Sequence, residues 1–226
     1  MLFFDPLYML FMLPALILAT FAAIRTQATF HRYSRVSASS GMTGAEAARA
    51  LLEAQGIRGV NIGISRGFLS DHYDPRDRSL RLSPQVYHSS SLAAIGVACH
   101  EAGHALQHAE GYMPLALRSQ LVPVTQLGSQ LAFPIMIAGL FFQAPFLVNL
   151  GLILFTAVVA FTLITLPVEW NASARAKRLM VQAGIVSPRE ASASSAVLNA
   201  AFLTYVAATV TAILQLLYYL SLARRR

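Results

Sequence analysis

His100-Glu101-Ala102-Gly103-His104 holds two imidazoles four residues apart with a carboxylate between them. On an α-helix, residues i and i+4 share a face and lie about 6 Å apart along the axis, so both rings can bind one ion. The glutamate beside the first histidine can reach a water at that ion and act as general base. HExxH on a helix is the pattern of zinc hydrolase centres; the competing reading is a structural His pair in a buried helix. The lone cysteine, Cys99, excludes an internal disulfide and a multi-cysteine zinc site. It points about 100° away from His100 round a helix and reads as a small buried residue, not a ligand.

The composition around this motif belongs to a membrane protein. Hydrophobic residues make up 56% of the 226 and charged residues 12%, against about 25% charged in an ordinary soluble domain. Uncharged blocks account for the difference. Pro6–Ile24 is one, long enough for a hydrocarbon core of about 30 Å. No charge occurs between Arg118 and Glu169, a block that holds two spans, Leu121–Phe142 and Phe146–Leu166, joined at Gln143-Ala144-Pro145. Ala200–Leu222 is the last. The sequence therefore predicts four transmembrane helices. Asp5 precedes the first span with no Lys or Arg and no small-residue cleavage site follows it, so it reads as an uncleaved anchor rather than a signal peptide.

The net charge of +7 is not a nucleic-acid signal. Arg25, Arg32, Arg35, Arg118, Arg175, Lys177, Arg178 and Arg189 flank spans, where basic residues set orientation, and no basic stripe interleaved with aromatics lies elsewhere.

Two polar segments must position the chemistry. In the first, residues 25–120, Thr43-Gly44-Ala45-Glu46 is a capping box for a helix ending near Gly56. Val60–Ile64 and Ser79–Ser83 alternate like strands of a short β-ribbon, with 71–78 as the loop between them. Ser89-Ser90-Ser91 supplies caps for the helix that carries HExxH and stops near Gly111. In the second, residues 168–198, a helix begins around Glu169 and ends at Gly184. Ser187 caps the final helix, with Pro188 as its first residue. The domain order is then an anchor (1–24), a catalytic segment (25–120), a transmembrane hairpin (121–167), a ligand-supplying segment (168–198) and a last span (199–226).

A catalytic zinc ordinarily has three protein ligands and one open position. His108 continues the i+4 ladder but lies about 12 Å along the axis from His100, too far for one ion to touch all three rings. The chain also lacks the glycine that breaks the helix in HExxHxxGxxH. His108 reads as a neighbour of the site or a helix-surface residue. Glu110 has the same reach problem, and Glu190 has no supporting pattern. Glu169 follows two spans after the motif, and an even number of crossings returns the chain to the face it left. Glu169 is the expected third ligand; the alternative is an ordinary interfacial glutamate.

Three stretches together, HEAGHALQHAEGY from His100, DHYDPRDRSLRLSPQVY from Asp71 and LPVEWNASARA from Leu166, closely resemble the YugP-like membrane zinc metallopeptidases of bacteria. The resemblance covers most of the chain. It implies a zinc-dependent peptidase with His100 and His104 as ligands and Glu101 as the catalytic glutamate. There is a looser likeness to HtpX-type membrane proteases, in which an Asp four residues after the ligand glutamate supports the site; here that position is Ser173. The expected fold is mainly α, a polytopic helical membrane protein with a small α+β zincin-like (gluzincin-type) catalytic domain containing a short β-ribbon.

The expected reaction is endopeptidase cleavage by one Zn2+ per chain held by His100, His104 and Glu169, with Glu101 as general base. His72, Tyr73, Tyr112 and Arg175 are candidates for stabilising the oxyanion, with Ser173 and His108 as further neighbours. An exposed strand at 80–83 would bind an extended substrate by strand addition. The expected partners are a membrane-associated protein or peptide substrate and the lipid bilayer, with no nucleic acid. Eight flanking basic residues against three terminal ones place the catalytic segments on the cytoplasmic face of a bacterial inner membrane. Rival classes are a non-catalytic zinc scaffold or chaperone, marked by a fourth protein ligand, and a transporter, disfavoured by the absence of charge in the central spans.

Overall fold

A computed structural model describes residues 5–67 and 70–224. Among these described residues, seven α-helices and three strands follow one another: α1 (Pro6–Tyr33), α2 (Gly44–Ala54), β1 (Asn61–Ile64), β2 (His72–Asp74), β3 (Ser79–Leu82), α3 (Pro84–Tyr87), α4 (Leu92–Ala109), α5 (Met113–Phe141), α6 (Pro145–Gln182) and α7 (Ala191–Arg224). Two compact units result. One comprises residues 1–23, 116–167 and 204–226; the other comprises 24–115 and 168–203.

The first unit is built from the apolar parts of four helices, α1, α5, α6 and α7, each long and apolar enough to cross a membrane. Its large side chains face outward: Leu16, Ile17, Phe141, Phe146 and Ile153 are each more than 60% exposed. Such apolar surface is stable against lipid and not against water. Within the unit α5 and α6 pack closely. A Cβ on Gly151 would lie 2.8 Å from the carbonyl oxygen of Ala132, so the glycine permits the backbones to approach.

The second unit has a single apolar core around Leu51, Leu80, Leu82, Ile95, Met180 and Ile185, all fully buried. The capping box at α2 forms as read: the Thr43 hydroxyl accepts from the Glu46 amide while the Glu46 carboxylate accepts from the Thr43 amide. Ser91 caps α4 by accepting from the Ala94 amide.

Several expectations change. The loop at 71–78 contains a third strand, so the ribbon is a three-stranded sheet of order β1-β3-β2. β3 pairs parallel with β1 (Asn61 opposite Ser79) and antiparallel with β2 (His72 opposite Arg81). The strand at 80–83 is therefore central and has no free edge for substrate; the edges are β1 and β2. Only three residues of β2 alternate, too few to stand out within a loop rich in Asp, Arg and Pro. Glu169 does not start a new helix. It lies inside α6, which continues through Pro167 from the apolar run into the polar one. Ser187-Pro188-Arg189-Glu190 forms a turn, and α7 begins after it at Ala191.

Candidate metal centre

The HExxH residues lie on α4, whose burial is nearly complete. From Leu92 to Gln107 every residue is buried except Val97 and His100. The polar stretch of α6 packs across it, and Gly103 makes this possible. A Cβ at Gly103 would come within 2.7 Å of the Ala172 carbonyl oxygen. Any larger residue would push α6 away and carry Glu169, one turn earlier, with it.

This close packing brings His100, His104 and Glu169 together. One ligand atom from each lies within 4.8 Å of the others, the only such group among the described residues. Glu169 Oε2 is 3.1 Å from His100 Nε2 and 3.6 Å from His104 Nε2. A tetrahedral zinc with bonds near 2.0–2.1 Å sets its ligand atoms about 3.4 Å apart, so the residues present fit that ion. No fourth His, Cys, Asp or Glu joins the group among the described residues. His100 has its side chain 12% exposed, whereas Glu169 is only 2% exposed.

The outer nitrogens of both rings are held. His100 Nδ1 lies 3.1 Å from Ser173 Oγ. His104 Nδ1 lies 2.9 Å from Gln107 Oε1. Gln107 is fully buried, and its Nε2 donates to the Val168 carbonyl at 2.8 Å and to Asn171 Oδ1 at 3.0 Å. With the amide nitrogen so committed, Oε1 must accept from His104 Nδ1–H, so in the neutral ring it is Nε2 that carries the lone pair. Asn171 Oδ1 also accepts from Arg175 Nε at 2.7 Å, and Arg175 Nη1 pairs with Glu110 at 2.6 Å. A polar chain thus runs from His104 through Gln107, Asn171 and Arg175 to Glu110.

The site favours positive charge. Burial pulls the His104 imidazole down, but the Glu169 hydrogen bond and the charges of Glu101 and Glu169 outweigh it and raise its pKa. Glu101 itself is buried at 8% exposure on the same turn.

The other sequence candidates fall elsewhere. Tyr73 and His108 bond each other, phenol oxygen to Nδ1 at 2.9 Å, and join β2 to the last turn of α4. His72 is exposed on β2, its Nδ1 2.7 Å from the Ser70 carbonyl oxygen. Tyr112 follows α4, with its backbone amide bonded to the Gln107 carbonyl. Arg175 reaches the site only through Asn171. Glu190 ties the start of α7 to Ser39 and Ser187. Cys99 is fully buried, and burial pushes its thiol up, so it is neither ligand nor nucleophile. Gln107 and Asn171 escaped the sequence reading. The available signal was a lone glutamine one turn beyond His104 in an Ala- and Leu-rich helix.

Helices long and apolar enough to cross a membrane and a cluster able to hold a metal ion are features that a membrane zinc metallopeptidase needs. The chain belongs to the family described as "Putative neutral zinc metallopeptidase", which matches residues 8–224. It is 45% identical over 213 residues to "Putative membrane protease YugP" of Bacillus subtilis (strain 168), covering 94% of this chain and 95% of that protein. No solved structure matches.

Proposed function

We propose that the protein is a zinc-dependent endopeptidase working at the cytoplasmic surface of a bacterial inner membrane. Three ligands around a partly open position support this reading over a structural zinc site, which ordinarily fills all four positions with protein atoms. His100, His104 and Glu169 would hold one ion per chain. When bound, zinc supplies Lewis-acid polarisation and stabilises negative charge on the reacting carbonyl oxygen.

The chain's own residues do the rest. Glu101 takes a proton from the attacking water and passes it to the leaving amine nitrogen. Gln107 holds the His104 imidazole in the tautomer whose Nε2 is free for the ion, and Ser173 fixes the orientation of the His100 ring. Packing of α4 against α6 through Gly103 keeps Glu169 in reach. The cytoplasmic orientation is supported by the excess of Lys and Arg flanking the spans on that side.

The test uses the purified full chain in detergent with an unfolded protein such as casein as substrate. Glu101→Gln keeps its zinc and loses hydrolysis by at least about 10²-fold. Cleavage at the wild-type rate by the zinc-loaded variant would remove Glu101 from the mechanism.

A further inference from the structure

A cavity of about 830 Å³ opens in the second unit, against the same strip of α4 that carries the metal ligands. Its contact with that strip is Val97. Val97 precedes His100 by three residues and Glu101 by four, so it shares their face one turn away. Val97 and His100 are the two residues of this run of α4 that are not buried, and they lie one turn apart on one face, so the cavity reaches to within a turn of the exposed edge of the metal cluster.

The walls are built. α7 crosses α4 where a Cβ on Gly96 would lie 3.4 Å from the Ser194 carbonyl, and Ser194 Oγ donates to the Leu92 carbonyl. One and two turns further along α7, Val197 and Ala201 line the cavity. The end of α1 closes it with Phe30 and is tied to α7 by Thr26 Oγ1 donating to the Ala200 carbonyl at 2.8 Å. No Asp, Glu, Lys or Arg is among the lining residues. A charged side chain entering this space would lose its water and meet uncharged groups, apart from the His31 imidazole at the α1 end of the cavity, which Arg35 bonds at 2.7 Å. The volume is that of a ligand-binding pocket, roughly 300–1,000 Å³, and exceeds the need of one side chain.

We infer that this cavity receives the substrate: it takes the residues on one side of the scissile bond and selects an uncharged, apolar stretch there. The inference rests on the peptidase reading. An extended chain with its carbonyl at the cluster has its neighbouring residues beside Val97, where Val197 and Ala201 of α7 and Phe30 of α1 bury them.

The full chain in detergent, loaded with zinc, is given a peptide library, and the cleaved bonds are sequenced. Leu, Ile, Val, Phe or Met is enriched on one flank, and Asp, Glu, Lys and Arg are excluded there by about tenfold or more. Ala201→Trp fills the cavity, retains its zinc, and lowers the preference for large apolar over Gly residues at that flank by about tenfold. Should that variant not fold, Phe30→Ala removes a wall from the opposite side and lowers the same ratio by about threefold or more. Cleavage with no flank preference, or a ratio unmoved in the folded variants, overturns the assignment of the cavity. A zinc-loaded wild type that cleaves nothing overturns the peptidase reading itself.

Discussion

Gln107→Met is the substitution that most sharply separates holding a ligand from merely filling space. Methionine keeps the volume and flexibility of the glutamine while removing its three hydrogen bonds. Their loss is unequal. The Val168 carbonyl still has the α6 ladder, and Asn171 Oδ1 still accepts from Arg175 at 2.7 Å. His104 Nδ1 alone loses its acceptor, in a side chain only 9% exposed. An unsatisfied buried donor costs about 1–3 kcal/mol. The ring then gains by moving its proton to Nε2, toward Glu169 Oε2 at 3.6 Å. That proton occupies the lone pair the metal needs. Loss of such a support weakens metal binding by about 10–100-fold, or about 1.4–2.8 kcal/mol. The assay is competition with a fluorescent zinc chelator on the detergent-solubilised full chain. Gln107→Glu keeps the acceptor on Nδ1 and loses the donors to Val168 and Asn171. It therefore holds zinc within about threefold of wild type while unfolding at lower temperature. A Gln107→Met variant that binds zinc as tightly as wild type refutes the reasoning.

Three further outcomes follow from the same geometry. Gly103→Ala separates α4 from α6 at Ala172, lowering stability by about 1–3 kcal/mol and reducing zinc occupancy, read by thermal unfolding and metal analysis. Ser173→Ala removes the partner of His100 Nδ1 and weakens zinc about tenfold or more; Ser173→Asp restores a stronger acceptor and binds at least as tightly as wild type. Glu190 titrates near 2 instead of 4.5, because Ser187 and Ser39 donate to its carboxylate. The stability it adds is present above pH 4.5 and is lost as pH falls through about 2. The gap in melting temperature between wild type and Glu190→Gln narrows across that window and is absent below it.

How far the sequence discloses this structure depends on the range of each interaction. The capping box at Thr43, the Ser91 cap and the apolar runs are local, and each appears as read. HExxH is local too, since helix geometry alone pairs its histidines. Glu169 is 69 residues from His100, yet counting membrane crossings put it on the same face. What stayed hidden depends on packing. β2 is short, and the order β1-β3-β2 is set by contacts that no alternation reveals. The continuity of α6 through Pro167 puts a proline inside a helix, where local sequence rules place a boundary. The sequence assigns Gly103 no role; only its approach to Ala172 shows why a larger residue does not fit. Gln107 gained meaning once the Val168 carbonyl and Asn171 were seen beside it.

The most direct test of the central claim is the zinc content of Glu169→Ala against wild type, purified as full chains and dialysed against a weak chelator. Wild type retains one zinc per chain. The variant, left with two imidazoles 4.8 Å apart between ring centres, retains little or none. Full zinc occupancy in Glu169→Ala would contradict the account.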